Sequence, residues 1–159
     1  NDISFHVVIC DFGLSIDISD VNKNYNIQSM WYRSPEVLFH MDYDYSIDTW
    51  SLGCIIFEII YYKGLFTGKK PNNLFKYIVS FLGIPSETFQ KTNEYSRKYF
   101  NLNYEPIETL DQENLILMKH KINFIENYEN KTFVNLILKT LTWNPEDRLS
   151  IEQCVELIN

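Results

Sequence analysis

Residues 46–58, which read SIDTWSLGCIIFE, decide the fold of this chain. They overlap a longer segment, residues 47–62, in which apolar side chains occur on almost every side of a helical wheel. That pattern is typical of a helix buried all round, because a surface helix keeps one polar face. The longest apolar stretch, residues 50–62, is interrupted by Ser51, Gly53 and Glu58, and it is shorter than the roughly 20 apolar residues that a membrane span needs. The sequence therefore predicts the buried central helix of a globular protein.

Three further helices are predicted from apolar spacing and from signals at their ends. The segment that begins at Pro71 has apolar residues at i, i+3, i+4, i+7 and i+8 and stops at Gly83. Residues 133–141 repeat this spacing and end before Pro145, which fixes φ and has no N–H to donate. Ser150, followed three residues later by a glutamine, forms the pattern of a capping box and begins the last helix.

The N-terminal part of the chain predicts a strand followed by a long loop. Residues 5–10 are β-branched and apolar, and they lead into Asp11-Phe12-Gly13, which predicts a buried strand ending at a glycine turn. Residues 14–30 are polar without a helical or strand period, so we expect a surface loop. Loops of this length are usually functional, which favours a lid or a switch, and a disordered connector is the alternative. Residues 93–131 predict only loop and short helices.

The composition is that of one ordinary globular domain. The chain has 159 residues, of which 45% are hydrophobic and 22% charged, and these values exclude disordered and collagen-like proteins. Fourteen basic and 21 acidic residues give a net charge of −7. A chain this acidic is not expected to offer a general electrostatic surface to nucleic acid or to an anionic membrane.

The cysteines indicate a reducing compartment. The chain has three cysteines, an odd count, and they are widely spaced: Cys10, Cys54 and Cys154. We therefore expect neither a CxxC metal pair nor a disulfide framework. The chain opens without a basic and apolar leader, so we expect an intracellular protein, in the cytoplasm or the nucleus, and a piece of a longer one. No local metal motif is formed by the three histidines, His6, His40 and His120.

Four motifs follow one another along the chain. They are Asp11-Phe12-Gly13, Ser34-Pro35-Glu36, residues 48–53 (DTWSLG) and residues 144–148 (NPEDR). In this order they resemble the protein-kinase signature set from its metal-binding DFG turn onward, with SPE in place of APE. The resemblance implies a protein-kinase-like α+β fold, of which this chain is the mainly α-helical C-lobe with a short N-terminal β-strand and the activation segment. Residues 1–159 would be the C-terminal part of the catalytic domain, with the metal-binding turn and activation segment in residues 1–36 and the helical C-lobe in residues 37–159.

A finer resemblance concerns the end of the activation segment. Residues 27–38 (IQSMWYRSPEVL) resemble that of the CMGC group of kinases. Within that group the DYRK family is most similar, on the strings IQS, SPEVL and SIDTWSLGCIIFE, on LGIPSE at residues 82–87 and on SRKYF at residues 96–100.

The resemblance assigns nucleotide and metal binding to the DFG turn. Asp11 is implied to hold Mg²⁺ against the phosphates of ATP, so ATP and Mg²⁺ are the expected cofactors. Phe12 would pack in the core and orient Asp11, and Gly13 would permit a backbone twist that a side chain resists. The alternative for Asp11 is an ordinary loop aspartate at a strand end. Cys10 would lie at the back of the nucleotide pocket, as a small buried apolar residue.

The resemblance also implies structural roles for the later motifs. Glu36 and Arg148 are expected to form a buried bidentate ion pair that ties the activation segment to the helical base. Asp48 would hold the backbone of the catalytic loop, and a plain helix cap is the alternative. Trp50 belongs to the same motif and is expected to be structural.

Arg33 and Tyr25 are the implied regulatory and substrate-site residues. Arg33 matches the arginine that lines the substrate site of the group, next to a phosphorylated tyrosine. The sequence departs from the DYRK pattern here, because Asn26 stands where the tyrosine is expected and Met30 where a second arginine is expected. Since one anion and one of its cationic partners are missing together, we expect the segment to be ordered without phosphorylation. Tyr25 is one residue out of register.

Several parts of a working kinase do not occur in these 159 residues. A glycine-rich loop, a strand lysine with its glutamate, and an HRD loop with its asparagine are absent. We therefore expect the N-lobe and the catalytic loop to lie outside this chain and the chain alone to be inactive. The parent would be a serine/threonine or dual-specificity kinase acting on protein substrates. The alternatives are a pseudokinase that serves as a binding scaffold and a gene fragment without a function of its own.

Overall fold

The described part of the chain is built from helices. The computed structural model describes residues 7–17, 26–91 and 94–159. Within those ranges the α-helices are α1 (Pro35–Leu38), α2 (Ser46–Tyr61), α3 (Pro71–Leu82), α4 (Glu87–Lys91), α5 (Gln112–Asn127), α6 (Lys131–Thr140) and α7 (Ile151–Ile158). Short 3₁₀ helices span Phe12–Leu14, Met30–Tyr32, Glu94–Lys98 and Pro145–Asp147. The expectation of a mainly helical lobe is confirmed.

Helix α2 is the central element of the core. Its buried residues include Trp50, Cys54 and Phe57, and it packs most extensively on α6. The two helices cross closely, because a Cβ atom at Gly53 would collide with Oγ1 of Thr140. The prediction that α2 is buried on every side is wrong, since Ile59 is 66% exposed. The exposed residues of α2 are Asp48, Ile55 and Ile59, which form one stripe along the helix that no described element covers.

The helices predicted from end signals are present. Helix α3 begins at Pro71 and ends before Gly83. Gly83 has a positive φ of 78°, which glycine adopts readily because it has no Cβ. Helix α6 begins two residues before its first predicted position, because the side chain of Asn130 caps it. Ser150 accepts a hydrogen bond from the backbone N–H of Gln153 and forms the predicted capping box at the start of α7.

Helix α5 lies in the segment where only loop and short helices were predicted. It is 16 residues long and is capped by Asp111, whose side chain accepts a hydrogen bond from the backbone N–H of Asn114. Its buried positions are Met118, Lys121 and Ile125, which lie three and four residues apart. The helical period was hidden from the sequence because one of the three buried residues is a lysine.

The predicted N-terminal strand is not formed by its described residues. Residues 7–10 have no regular structure, and Val7 is 92% exposed. A strand needs a partner for its backbone hydrogen bonds, and no described residue pairs with this segment. Residues 5 and 6 of the predicted strand lie outside the described residues.

An aromatic cluster fixes the position of α1. Phe39, which follows α1 directly, is fully buried, and its ring centroid lies within 6.2 Å of five other aromatic rings. The five are Phe75, Phe89, Tyr99, Phe100 and Trp143. Edge and tilted packing of this kind adds to the burial of apolar area.

In the described ranges, every helix is too short or too polar to cross a membrane.

Candidate active site

The turn at Asp11-Phe12-Gly13 presents its carboxylate to solvent. Asp11 has φ 61° and ψ 63°, a left-handed conformation that aspartate adopts more readily than most residues. The strained residue of the turn is therefore Asp11, and the prediction that Gly13 supplies the backbone twist is wrong, because Gly13 is not among the residues with positive φ. A Cβ at Gly13 would make only an ordinary contact at 3.4 Å with the Asp11 carboxylate.

Phe12 and Cys10 do not lie in a core. Phe12 is 66% exposed, so the prediction that it packs in the core and orients Asp11 is wrong for this chain. Cys10 is also exposed, against the expectation of burial. The physical reason is the same for both, because all described residues from 7 to 17 are exposed and no described element covers them.

An acidic cleft of about 450 Å³ lies between the DFG turn and the start of α2. Its lining includes Asp11, Asp44 and Asp48. Burial raises the pKa of Asp48, and hydrogen bonding to Ser46 lowers the pKa of Asp44. Asp48 lies in the first turn of α2, but Tyr45 occupies the N-cap position and makes no side-chain cap. The helix-cap alternative for Asp48 is therefore wrong.

The cleft suits a metal ion that takes most of its ligands from elsewhere. No group of three His, Cys, Asp or Glu side chains in the described ranges could hold a metal by itself. Mg²⁺ is usually bound by one or two carboxylates together with substrate phosphates and water. The exposed carboxylate of Asp11 at the edge of this cleft fits that role. The described residues around it do not form a metal site made of protein ligands alone.

Gln28 connects residues 28–34 to α2. Its side-chain Nε2 donates hydrogen bonds to Ile47 O at 2.8 Å and to Ser51 Oγ at 2.9 Å. Its Oε1 accepts from the backbone N–H of Ser34 at 3.0 Å and from the Ser34 hydroxyl at 3.1 Å. Its backbone is left-handed, with φ 60°. No role of Gln28 was predicted from the sequence, where its one signal is a polar residue inside the IQS string.

Arg33 lies beside Gln28 and outside the acidic cleft. Its Nη2 donates to Gln28 O at 3.0 Å, and its buried Nε has no partner among the described residues. Burial lowers the pKa of Arg33. Tyr25 lies outside the described residues.

Glu36 and Arg148 form a bidentate ion pair. Nη1 and Nη2 of Arg148 lie 2.7 and 3.0 Å from the two carboxylate oxygens of Glu36, and both side chains are 0% exposed. Arg148 also donates to Ser46 O at 2.8 Å and to Thr142 O at 3.1 Å. Its guanidinium lies 5.3 Å from the ring of Trp50, which is fully buried. The pair joins α1 to α2 and to the segment before α7.

Two further polar contacts were not predicted. Tyr32 donates its hydroxyl to Glu58 at 2.6 Å, and this contact raises the pKa of Tyr32 to about 12. Lys121 is buried and donates to the carbonyl oxygens of Gly64 and Leu65, both at 2.7 Å. Burial lowers the pKa of Lys121 to about 8. Neither contact has a sequence signal, because the partners lie 26 to 57 residues apart.

The chain is similar to protein kinases over nearly its whole length. Residues 2–157 match the family model of the protein kinase domain. The chain is 29% identical over 152 residues to serine/threonine-protein kinase ppk5 of Schizosaccharomyces pombe, an alignment that covers 94% of this chain and 18% of that protein. It is 32% identical over 152 residues to mitogen-activated protein kinase 10 of Arabidopsis thaliana, covering 92% of this chain and 35% of that protein.

A third relative is serine/threonine-protein kinase prpf4B of Dictyostelium discoideum, with 33% identity over 131 residues, 82% of this chain and 15% of that protein. The chain thus spans 15 to 35% of the length of these three relatives. The family model covers the DFG turn, the ion pair and helices α1 to α6 of the described ranges, and it ends one residue before the end of α7. This chain belongs to the protein kinase domain family.

Proposed function

We propose that this chain is the C-terminal part of the catalytic domain of a serine/threonine kinase of the CMGC group, most similar to the DYRK family. The mitogen-activated and serine/threonine kinases among its relatives support the group, and the strings IQS and LGIPSE support the family. Residues 1–36 carry the metal-binding turn and activation segment, and residues 37–159 the helical C-lobe. The N-lobe and the catalytic loop come from other residues of a longer protein.

The acidic cleft is the observation that carries the proposal. When bound there with ATP, Mg²⁺ neutralises charge on the phosphates. Asp11 would hold that ion through its exposed carboxylate. Asp48 offers a carboxylate to which no described residue donates a hydrogen bond, and in our proposal it accepts from the backbone of the catalytic loop. The chain itself supplies no catalytic base.

The geometry around Arg33 supports a preference for proline directly after the phosphorylated residue. The carbonyl oxygen of Gln28 already accepts a hydrogen bond from Arg33 at 3.0 Å. That bond occupies one of its two lone pairs, so the oxygen is a weaker acceptor for the backbone N–H of a bound peptide. Proline has no N–H, so a peptide with proline at that position leaves no donor unpaired.

A pseudokinase that acts as a binding scaffold is the second candidate. It is favoured by Asn26 and Met30, which replace the tyrosine and arginine of the DYRK pattern. An intact Asp11 argues against it, because a scaffold has no use for a metal ligand.

Phosphoryl transfer by the full-length protein tests the proposal. Purified wild type with Mg²⁺ and radiolabelled ATP is expected to label a serine peptide, and Asp11→Asn is expected to abolish the labelling. Glu87→Gln is the matched control, because it makes the same carboxyl-to-amide change in an exposed side chain that pairs with Lys91 on the surface. Residues 1–159 alone are expected to be inactive. A wild-type protein without transfer, or an active Asp11→Asn variant, would contradict the proposal.

A further inference from the structure

The segment between α2 and α3 carries positive charge that no acidic residue of the segment balances. Residues 59–86 contain four lysines and no acidic residue, although the whole chain has a net charge of −7. Three of these lysines, Lys63, Lys69 and Lys70, are exposed, and none of them pairs with an acidic side chain in the described ranges. We call these three residues the lysine surface.

A cleft of about 370 Å³ adjoins the lysine surface, between α3 and the start of α5. Its lining combines two lysines, an amide and two aromatic rings: Lys69, Lys76, Asn73, Trp31 and Tyr77. The acidic residues beside these lysines already have partners. Glu108 pairs with Lys76 at 2.7 Å, and Asp111 accepts hydrogen bonds from Asn114. Lys69 keeps no acidic partner among the described residues, so the cleft can take up an added negative charge.

The positive potential extends to a buried lysine behind the cleft. Nζ of Lys121 lies 5.8 Å from the centroid of the Tyr77 ring, which lines the cleft. Burial lowers the pKa of Lys121, and the charge of Lys63 lowers it further. Because like charges disfavour each other's charged form, an anionic partner bound at this place would stabilise all of them.

We propose that the lysine surface and this cleft form a docking surface for an acidic segment of the protein substrate. The inference rests on the proposed function and adds a contact away from the phosphorylated residue. The position favours a substrate, because Trp31 lines the cleft and stands two residues before Arg33, the proposed substrate-site arginine. A peptide can place neutral residues beside Glu108 and Asp111, whereas these carboxylates repel a nucleic acid with a phosphate at every step.

Peptide kinetics with the full-length protein test the proposal. The two substrates share an acceptor serine and a glycine–serine linker, and they carry a tail of six glutamates or six glutamines. The tail is placed before the serine in one pair of peptides and after it in another. One exposed ion pair is worth about twofold in affinity, so three lysines are expected to lower the KM of an acidic peptide about eightfold, with kcat unchanged. The difference is expected to vanish at about 0.5 M salt, because salt screens exposed charges.

Charge variants separate this surface from the general charge of the chain. The combined variant Lys63→Gln, Lys69→Gln and Lys70→Gln is expected to abolish the KM difference. The matched control makes the same change in three exposed lysines on α4, α5 and α6 and is expected to keep it: Lys91→Gln, Lys119→Gln and Lys139→Gln. Asn73→Phe fills the cleft without a change of charge and is expected to reduce the difference. An unchanged difference in Asn73→Phe overturns the role of the cleft.

Direct binding tests the surface without any need for catalysis. Fluorescence anisotropy of a labelled hexaglutamate peptide is expected to show weaker binding to the first triple variant than to wild type or to the control. Equal binding by all three proteins, or equal KM values of the two tails in wild type, overturns the docking surface. A single-stranded oligonucleotide of the same charge that binds this surface more tightly overturns its assignment to a protein segment. A wild type without phosphoryl transfer contradicts the proposed function, and in that case anisotropy still decides whether the surface binds an acidic segment.

Discussion

Replacing Arg148 by alanine would leave the carboxylate of Glu36 buried without its cation. Both side chains are 0% exposed, so water cannot take the place of the lost partner. Removing one member of such a pair typically costs about 3 to 5 kcal/mol. Arg148→Ala also strips the carbonyl oxygens of Ser46 and Thr142 of a donor, which Glu36→Ala does not. Arg148→Ala is therefore expected to be the more damaging of the two substitutions.

Urea denaturation of the purified variants measures this difference. The control is Lys91→Ala, which breaks an ion pair with Glu87 whose side chains are 57% and 63% exposed. Exposed pairs contribute about 0 to 1 kcal/mol, so the control is expected to change the free energy of unfolding little. The reasoning is refuted if Arg148→Ala and Glu36→Ala destabilise the protein no more than Lys91→Ala does.

Three further outcomes are expected. Burial lowers the pKa of Lys121 to about 8, below its unfolded value of about 10.4, so the unfolded state binds more protons between those two pH values. The free energy of unfolding is therefore expected to rise with pH in that range. Urea titrations at several pH values measure this slope, which Lys121→Met is expected to flatten. Gly53→Ala places a Cβ against Thr140 and is expected to cost about 1 to 3 kcal/mol, measured by thermal denaturation. Phosphopeptide mass spectrometry of active full-length protein is expected to find Tyr25 largely unmodified, and modification in nearly every copy would contradict an activation segment ordered without it.

The ends of several helices and the periods of their buried apolar residues could be predicted from the sequence. The start of α3 at Pro71 and the capping box of Ser150 are local chemical signals, so neither depends on distant residues. The pair of Glu36 and Arg148 was accessible only through resemblance to a family, because 112 positions separate its members.

The errors arose where a segment depends on neighbours that sequence patterns do not reveal. Residues 7–10 have strand-like side chains, but no described residue pairs with their backbone. Helix α5 was not predicted because Lys121, one of its buried residues, is charged and breaks the apolar period. Its burial depends on hydrogen bonds to carbonyl oxygens in a loop 56 to 57 positions away, which the sequence pattern does not reveal. Gln28 went unassigned for a similar reason, since an amide in a loop gives no sign of its partners on α2.

Sequencing the transcript upstream of Asn1 tests the central claim most directly. A kinase that uses Asp11 as its metal ligand also needs a strand lysine for the ATP phosphates and an HRD loop with its asparagine. Both are expected to be present and intact in the same reading frame. A stop codon there, or other residues at the lysine and base positions, would contradict an active kinase and leave Asp11 without a catalytic role.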